Sequence, residues 1–152
     1  VAPELAGFQL SYSTAKFYDV VTDYIRQYVH PGDEIFAFPN MQVFYGIARA
    51  KSPTLCINHW FDICPDDIAI ADARRLQEHP PALIIALDLP DEAYGLHETY
   101  FRQGKPSGQR VLWDSVMKLT QRYQKLATFR SNHIDLRPVV VWARDTKATP
   151  LQ

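Results

Sequence analysis

The run Leu83-Ile84-Ile85-Ala86-Leu87 is the feature that most constrains the fold of this chain. It is apolar throughout and lacks the polar alternation of a strand with one face in water, so both of its faces should be buried. A strand buried on both faces lies inside a sheet that helices cover on each side. The turn His79-Pro80-Pro81 directly before it ends a helical segment. The sequence therefore predicts an α/β layer structure built around this strand.

Helical and strand-like patterns alternate along the rest of the chain. The predicted helices cover residues 14–29, 41–50, 65–78 and 112–123, and the predicted strands cover residues 34–38, 54–58, 83–87, 125–130 and 138–143. Short connections between such units favour a layered, Rossmann-like α/β/α domain with a mostly parallel sheet of about five strands. The last two strands can form an antiparallel edge. With neither a linker nor a repeat in view, residues 1–152 are predicted to form a single domain.

Composition and charge exclude several classes of partner. Sixteen Lys and Arg residues against seventeen Asp and Glu residues leave a net charge of −1, so no global field favours nucleic acid or anionic lipid. The longest apolar runs are far shorter than the roughly 20 residues that cross a bilayer, which predicts a soluble chain. The chain begins at Val1 without Met or a signal segment. We therefore expect a processed product or a piece of a longer protein.

Several common chemistries lack the residues that would carry them. We find no Gly-rich phosphate loop, no Gly-x-Ser-x-Gly turn, no His-Glu-x-x-His helix and no acidic calcium loop. The adjacent carboxylates Asp66-Asp67 and Asp91-Glu92 are interpreted as groups at a helix start or turn and not as an acid–base pair. The sequence therefore predicts no cofactor and no metal in this chain.

A polar and aromatic cluster follows the predicted strand 54–58. It consists of Asn58, His59, Trp60, Phe61 and Asp62. Ligands of parallel sheets bind beyond the carboxyl ends of the strands, so this cluster can hold a sugar by stacking on Trp60 and by hydrogen bonds to Asn58 and Asp62. The alternative is that Trp60 and Phe61 cover the core while His59 is a solvated loop residue.

The segment from Asp88 to Arg110 is the second candidate region. It is rich in Pro, Gly, Asp and Gln and carries Tyr94, His97, Glu98 and Tyr100. A connection of this length is often functional. A lid or docking surface is therefore one interpretation, and an ordinary surface loop is the alternative. A further loop is predicted at 132–135, and the tail 145–152 is expected to fray.

The cysteines Cys56 and Cys64 leave two alternatives open. Two residues are too few for a disulfide scaffold and too widely spaced for a close zinc-binding pair. Two buried free thiols are one reading. In an oxidising compartment, a bridge across the short intervening loop is the other.

Residues 17–144 resemble the extracytoplasmic C-terminal domain of polytopic membrane glycosyltransferases of the protein-mannosyltransferase and aminoarabinose-transferase type. The order and spacing of three segments carry the resemblance: His30-Pro31-Gly32-Asp33-Glu34-Ile35-Phe36-Ala37-Phe38-Pro39, then Val43-Phe44-Tyr45-Gly46 through Ala50-Lys51-Ser52-Pro53-Thr54, then residues 73–76 leading into His79-Pro80-Pro81-Ala82-Leu83-Ile84-Ile85. Each segment alone is also ordinary turn or strand chemistry.

The resemblance implies a role in a larger membrane enzyme. The sugar donor would be a polyprenyl phosphate sugar and the acceptor a glycan, lipid or protein outside the cytoplasm. The family's catalytic acidic residue lies in a loop between its first membrane spans, so no position here inherits it. This domain would cover the active cavity, contact its own transmembrane region and recognise the acceptor through residues 58–62 or 88–110. An extracytoplasmic location also favours the Cys56–Cys64 bridge. The alternative is a free-standing α/β module that binds a sugar or another small molecule.

Overall fold

The computed structural model describes residues 3–130 and 138–144. The predicted loop 132–135 and the tail 145–152 lie outside these ranges. The described helices are α1 (Tyr12–Tyr28), α2 (Val43–Ala48), α3 (Asp66–Glu78), α4 (Asp91–Phe101) and α5 (Gly108–Thr120), and the described strands are β1 (Ile35–Phe38), β2 (Leu83–Leu87), β3 (Tyr123–Phe129) and β4 (Val139–Arg144). No helix in these ranges combines the length and the apolar character needed to span a membrane.

The described strands form one mixed sheet in the order β1-β2-β4-β3. Strands β1 and β2 are parallel, with Phe36 opposite Ile84. Strand β4 runs antiparallel to both β2 and β3. The α/β class and the antiparallel pairing of the last two strands are as predicted. The expectation of about five mostly parallel strands is wrong for the described residues, which contain four strands and one parallel pair.

Helices cover both faces of this sheet. Successive residues of β1 point to opposite faces, so Ile35 and Ala37 pack with α1 and α2 while Phe36 and Phe38 pack with α3, α4 and α5. In β2, residues 83–86 are fully buried and contribute alternately to the two cores. Burial of β2 on both faces, which its unbroken apolar run predicts, is confirmed.

The predicted strand 54–58 does not form. Its apolar side chains Leu55 and Ile57 are 60% and 54% exposed. The Thr54 hydroxyl donates a hydrogen bond to the Cys56 carbonyl at 2.7 Å, which bends the backbone locally. The apolar residue types of this segment are typical of a strand, which is why a strand was predicted. The segment lies outside the sheet, and side chains form the hydrogen bonds to its backbone that a neighbouring strand would otherwise form.

The predicted loop 88–110 instead contains α4 and the start of α5. Pro90 precedes α4, and Asp91 and Glu92 occupy its first turn, where carboxylates interact favourably with the helix dipole. The residues that α4 buries are Tyr94 and Glu98. A charged residue on the buried side disrupts the apolar periodicity by which helices are predicted, and the helix was missed for that reason.

Candidate functional site at the disulfide loop and helix α4

Residues 54–64, here called the disulfide loop, are fastened at the carboxyl end of β1. Cys56 and Cys64 form a disulfide with their Cα atoms 6.1 Å apart, so the bridged alternative holds. The His59 amide donates to the Pro39 carbonyl at 2.7 Å, one residue after β1 ends. Asp72 of α3 is fully buried and accepts hydrogen bonds from the Leu55 amide at 2.7 Å and the Cys56 amide at 3.0 Å. These contacts give the loop a defined shape without sheet pairing.

His59 is an internal anchor of the disulfide loop. It is fully buried, its ring lies against the ring of Phe36, and its Nε2 donates to Asp72 Oδ2 at 3.2 Å. Burial lowers the pKa of His59, and this effect outweighs the opposing contribution of Asp72. The interpretation of His59 as a solvated loop residue is therefore wrong, because its side chain lies in the interior of the disulfide loop.

The disulfide loop also contains the residue types of a metal site. Cys56, His59, Cys64 and Asp72 each offer a ligand atom within 4.8 Å of the others. In this structure the two sulfur atoms are bonded to each other, so neither supplies the thiolate that a metal would require. Asp72 is also engaged by two backbone amides. The cluster acts here as a structural core of the loop.

Asp62 joins the disulfide loop to α4. His97 Nε2 donates to Asp62 Oδ2 at 2.9 Å, and Arg102 forms hydrogen bonds to both Asp62 and Asp66. Burial alone would raise the pKa of Asp62, but the hydrogen bonds from Arg102 and His97 lower it below its ordinary value. The two regions that the sequence marked separately therefore meet at one ion-paired junction.

Aromatic rings extend from this junction across the surface. Phe61 stacks on His97 with 4.2 Å between ring centroids, and His97 stacks on Phe101 at 5.2 Å. Trp60 packs edge-on against Phe61 and remains 36% exposed, while Phe101 is 75% exposed. We call this group the Asp62 surface; its members are Trp60, Phe61, Asp62, His97, Phe101 and Arg102. It places flat apolar faces beside fixed charged groups, a combination suited to binding.

The other candidate residues have different positions. Asn58 accepts a hydrogen bond from the Trp60 amide at 3.0 Å and so shapes the loop. Tyr100 is 75% exposed on α4. Tyr94 is buried, and its ring contacts that of Phe61 in a T-shaped arrangement with 6.2 Å between ring centroids. Of the candidates, Trp60, Asp62 and His97 are brought together at the surface.

The role of Arg110 is not visible in the sequence. Its guanidinium lies 5.2 Å from the centre of the Tyr94 ring, pairs with both carboxylate oxygens of Glu98 at 2.7 and 2.9 Å, and contacts Asp91. The hydrogen bonds from Arg110 lower the pKa of Glu98 despite its burial. Glu98 and Arg110 are separated by twelve residues and belong to different helices, so no local pattern could pair them.

Two cavities lie at opposite ends of the parallel strand pair. One, of about 330 Å³, is here called the Tyr94 cavity; it is lined by Leu89, Asp91, Tyr94, Arg110, Trp113 and Asp114. The other, of about 620 Å³, lies where β1 and β2 begin and includes Glu34, Lys51 and His79 among its lining residues. The Tyr94 cavity adjoins the Asp62 surface through the contact between Tyr94 and Phe61.

Comparison of the chain with protein-family models, curated proteins and solved structures gives no match.

Proposed function

We propose that this chain is the extracytoplasmic domain of a membrane glycosyltransferase that uses a polyprenyl-phosphate-linked sugar. In this proposal the domain covers the active cavity and recognises the acceptor through the Asp62 surface. Catalysis belongs to the membrane region of the parent enzyme, as the family resemblance implies. The observation that carries the proposal is the Asp62–His97 contact, because it assembles the two candidate regions into one exposed aromatic surface.

The disulfide supports the proposed compartment. Protein disulfides persist mainly in oxidising environments outside the cytoplasm. The Cys56–Cys64 bridge closes the segment that presents Trp60 and Asp62, so oxidation and the shape of the proposed binding surface are linked. The resemblance implies the same location.

The chemistry of the Asp62 surface supports acceptor recognition. Aromatic faces pack against the apolar faces of sugar rings, while carboxylate and guanidinium groups bind hydroxyls or acidic substituents directionally. Asp62, His97 and Arg102 hold one another in place through hydrogen bonds. A surface that is organised before binding loses less conformational entropy when it takes up a ligand.

The first test is to read the gene upstream of Val1. The proposal expects several apolar segments of roughly 20 residues each. An initiator Met next to Val1 would overturn the transferase assignment and leave the free-standing binding module.

The second test is Trp60→Ala in the full-length parent enzyme, assayed for sugar transfer at varied acceptor and donor concentrations. Loss of one aromatic stacking partner should raise the acceptor KM by roughly fivefold or more, with the donor KM unchanged. Tyr12→Ala is the matched control, since Tyr12 is 83% exposed and lies on α1.

The melting temperature of Trp60→Ala separates binding from folding. Trp60 is partly exposed, so we expect little change. A large fall in the melting temperature would show that Trp60 is part of the core. An unchanged acceptor KM in a stable variant would show that the Asp62 surface does not recognise the acceptor.

A further inference from the structure

The Tyr94 cavity occupies the place where α/β sheets bind ligands. Leu89 follows β2 by two residues, Asp91 begins α4, and Arg110, Trp113 and Asp114 face them from α5. Ligands of such folds lie in crevices beyond the carboxyl ends of the parallel strands. A volume of about 330 Å³ falls at the small end of the 300–1,000 Å³ range of ligand pockets, which suits one ring-sized molecule.

The walls of the cavity combine a fixed aromatic ring with an unused polar group. The Trp113 indole is stacked on Phe38 with 5.1 Å between ring centroids and 19° between ring planes, so its orientation is set by the core. The Tyr94 hydroxyl is buried and has no hydrogen-bond partner among the described residues. Buried hydroxyls are normally paired, so a polar ligand at this wall would supply the missing partner.

The charges of the cavity select against anions. The positive charge of the Arg110 guanidinium is already matched by the carboxylates of Glu98 and Asp91. Asp114 is exposed and forms no ion pair with a described residue, which leaves an excess of negative charge around the opening. A carboxylate at this position accepts hydrogen bonds from hydroxyl or ammonium groups and repels another anion.

We propose that the Tyr94 cavity binds a single saccharide ring that carries no acidic group. The ring stacks on Trp113, and its hydroxyl or amino groups donate to Asp114. The larger cavity does not fit this ligand as well, because its lining contains no Trp, Tyr or Phe among the described residues. The inference does not rest on the proposed function, since a transferase domain and a free-standing module could both use such a pocket.

The test is an NMR titration of this chain with methyl glucoside, glucosamine and glucuronate, followed on the indole and backbone amide signals. The proposal expects saturable shifts at Trp113 and its neighbours with methyl glucoside or glucosamine, and affinity at least tenfold weaker for glucuronate. Asp114→Asn, a change at an exposed residue, should weaken glucosamine binding by fivefold or more. Trp113→Phe, which can keep the contact with Phe38, should weaken both sugars by several-fold.

The control variant is Tyr12→Ala, since Tyr12 is 83% exposed on α1 and belongs neither to the lining of the cavity nor to the Asp62 surface. The proposal expects sugar binding in this variant to equal that of the wild type. Any of three results would overturn the proposal. They are the absence of saturable shifts at Trp113, equal affinity for glucuronate, and loss of binding in Tyr12→Ala but not in Trp113→Phe. These results are independent of whether the parent enzyme transfers sugar, so failure here and failure of the proposed function are distinguishable.

Discussion

Asp72 organises the disulfide loop as a single buried carboxylate. It accepts from two backbone amides and from His59, so three donors of a segment without sheet pairing are satisfied by one side chain. Burying a charge is unfavourable unless hydrogen bonds compensate for the lost hydration, and here they do. The loop can consequently place Leu55 and Ile57 in solvent without leaving its backbone unsatisfied.

The buried His59 predicts a pH dependence of stability. Its pKa is lower in the folded protein than the ordinary value of about 6.5. When the pH falls below that value, the unfolded chain binds a proton that the folded chain does not, so the free energy of unfolding decreases with falling pH. Urea unfolding between pH 7.5 and about pH 5.5 should show this decrease.

His59→Gln provides the check, because the glutamine amide can still donate to Asp72 but does not titrate. We expect this variant to lose part of the pH dependence, whatever its absolute stability. His79→Gln is the matched control at an exposed histidine and should keep the wild-type slope. Equal slopes in His59→Gln and the wild type would contradict the assignment.

The α3–α5 contact sets the position of the helices that bear the candidate sites. The Gly108 amide at the start of α5 donates to Asp66 Oδ1 at 2.7 Å, and Gln77 of α3 donates to the Ser115 hydroxyl at 2.8 Å. Ser107 caps α5, and its own amide donates to Glu98 of α4 at 2.7 Å. Helices α3, α4 and α5 are thus linked at their ends, on the side of the sheet that carries the Tyr94 cavity.

Gly108→Ala should disrupt this contact. A Cβ atom at residue 108 would lie 2.6 Å from the Asp66 carbonyl oxygen and 2.7 Å from its Cα, and this neighbour is backbone. We expect the free energy of unfolding to fall by about 1–3 kcal/mol in chemical denaturation.

Gly46→Ala is the matched control for Gly108→Ala. Gly46 lies in α2, and a Cβ there meets nothing within 4 Å. Alanine has the higher helix propensity, so this variant should be neutral or more stable by up to about 1 kcal/mol. If both variants behaved alike, the close approach of α5 to α3 would be refuted.

At the scale of the whole molecule, the sheet forms the buried centre of the fold. The disulfide in the disulfide loop adds a covalent constraint on the chain. Both faces of β1 and β2 are buried beneath helices, with separate apolar clusters on the two sides. The disulfide loop lies outside these strands and is hydrogen-bonded to Pro39, Asp72, His97 and Gln109. Its disulfide therefore adds to stability mainly by restricting the unfolded chain.

Removing the disulfide should lower global stability without unfolding the sheet. The bridge spans a sequence separation of eight residues. Chain entropy predicts a loss of roughly 2–3 kcal/mol for a loop of this size. Urea unfolding of Cys56→Ala/Cys64→Ala, compared with the wild type, measures this loss.

Addition of a reductant provides the control, since it should destabilise the wild type and leave the double variant unchanged. Native far-ultraviolet circular dichroism should persist in both proteins before unfolding. A double variant as stable as the wild type would show that the hydrogen bonds of the loop hold it in place without the disulfide.

The sequence predicted helices and strands correctly where the pattern of buried residues follows the local periodicity of apolar residues. The unbroken run of β2 predicted a strand with two buried faces, and the bounds of α3 follow from its acidic start and the prolines after His79. The strand predicted at 54–58 was wrong because apolar side chains there are exposed. Helix α4 was missed because Glu98 occupies its buried side, where its charge is neutralised by Arg110 of another helix.

The candidate residues Asp62 and His97 were predicted separately because they are 35 positions apart in the sequence. In the structure they are hydrogen-bonded to each other. The sequence by itself determined the α/β class, the central strand and the general regions of interest, because these depend on patterns within a few residues. Only the tertiary structure decided that Cys56 bonds to Cys64, that His59 is buried on Asp72, and that a cavity opens beside Tyr94. Those features depend on which distant side chains meet, and the packing of whole elements sets these meetings.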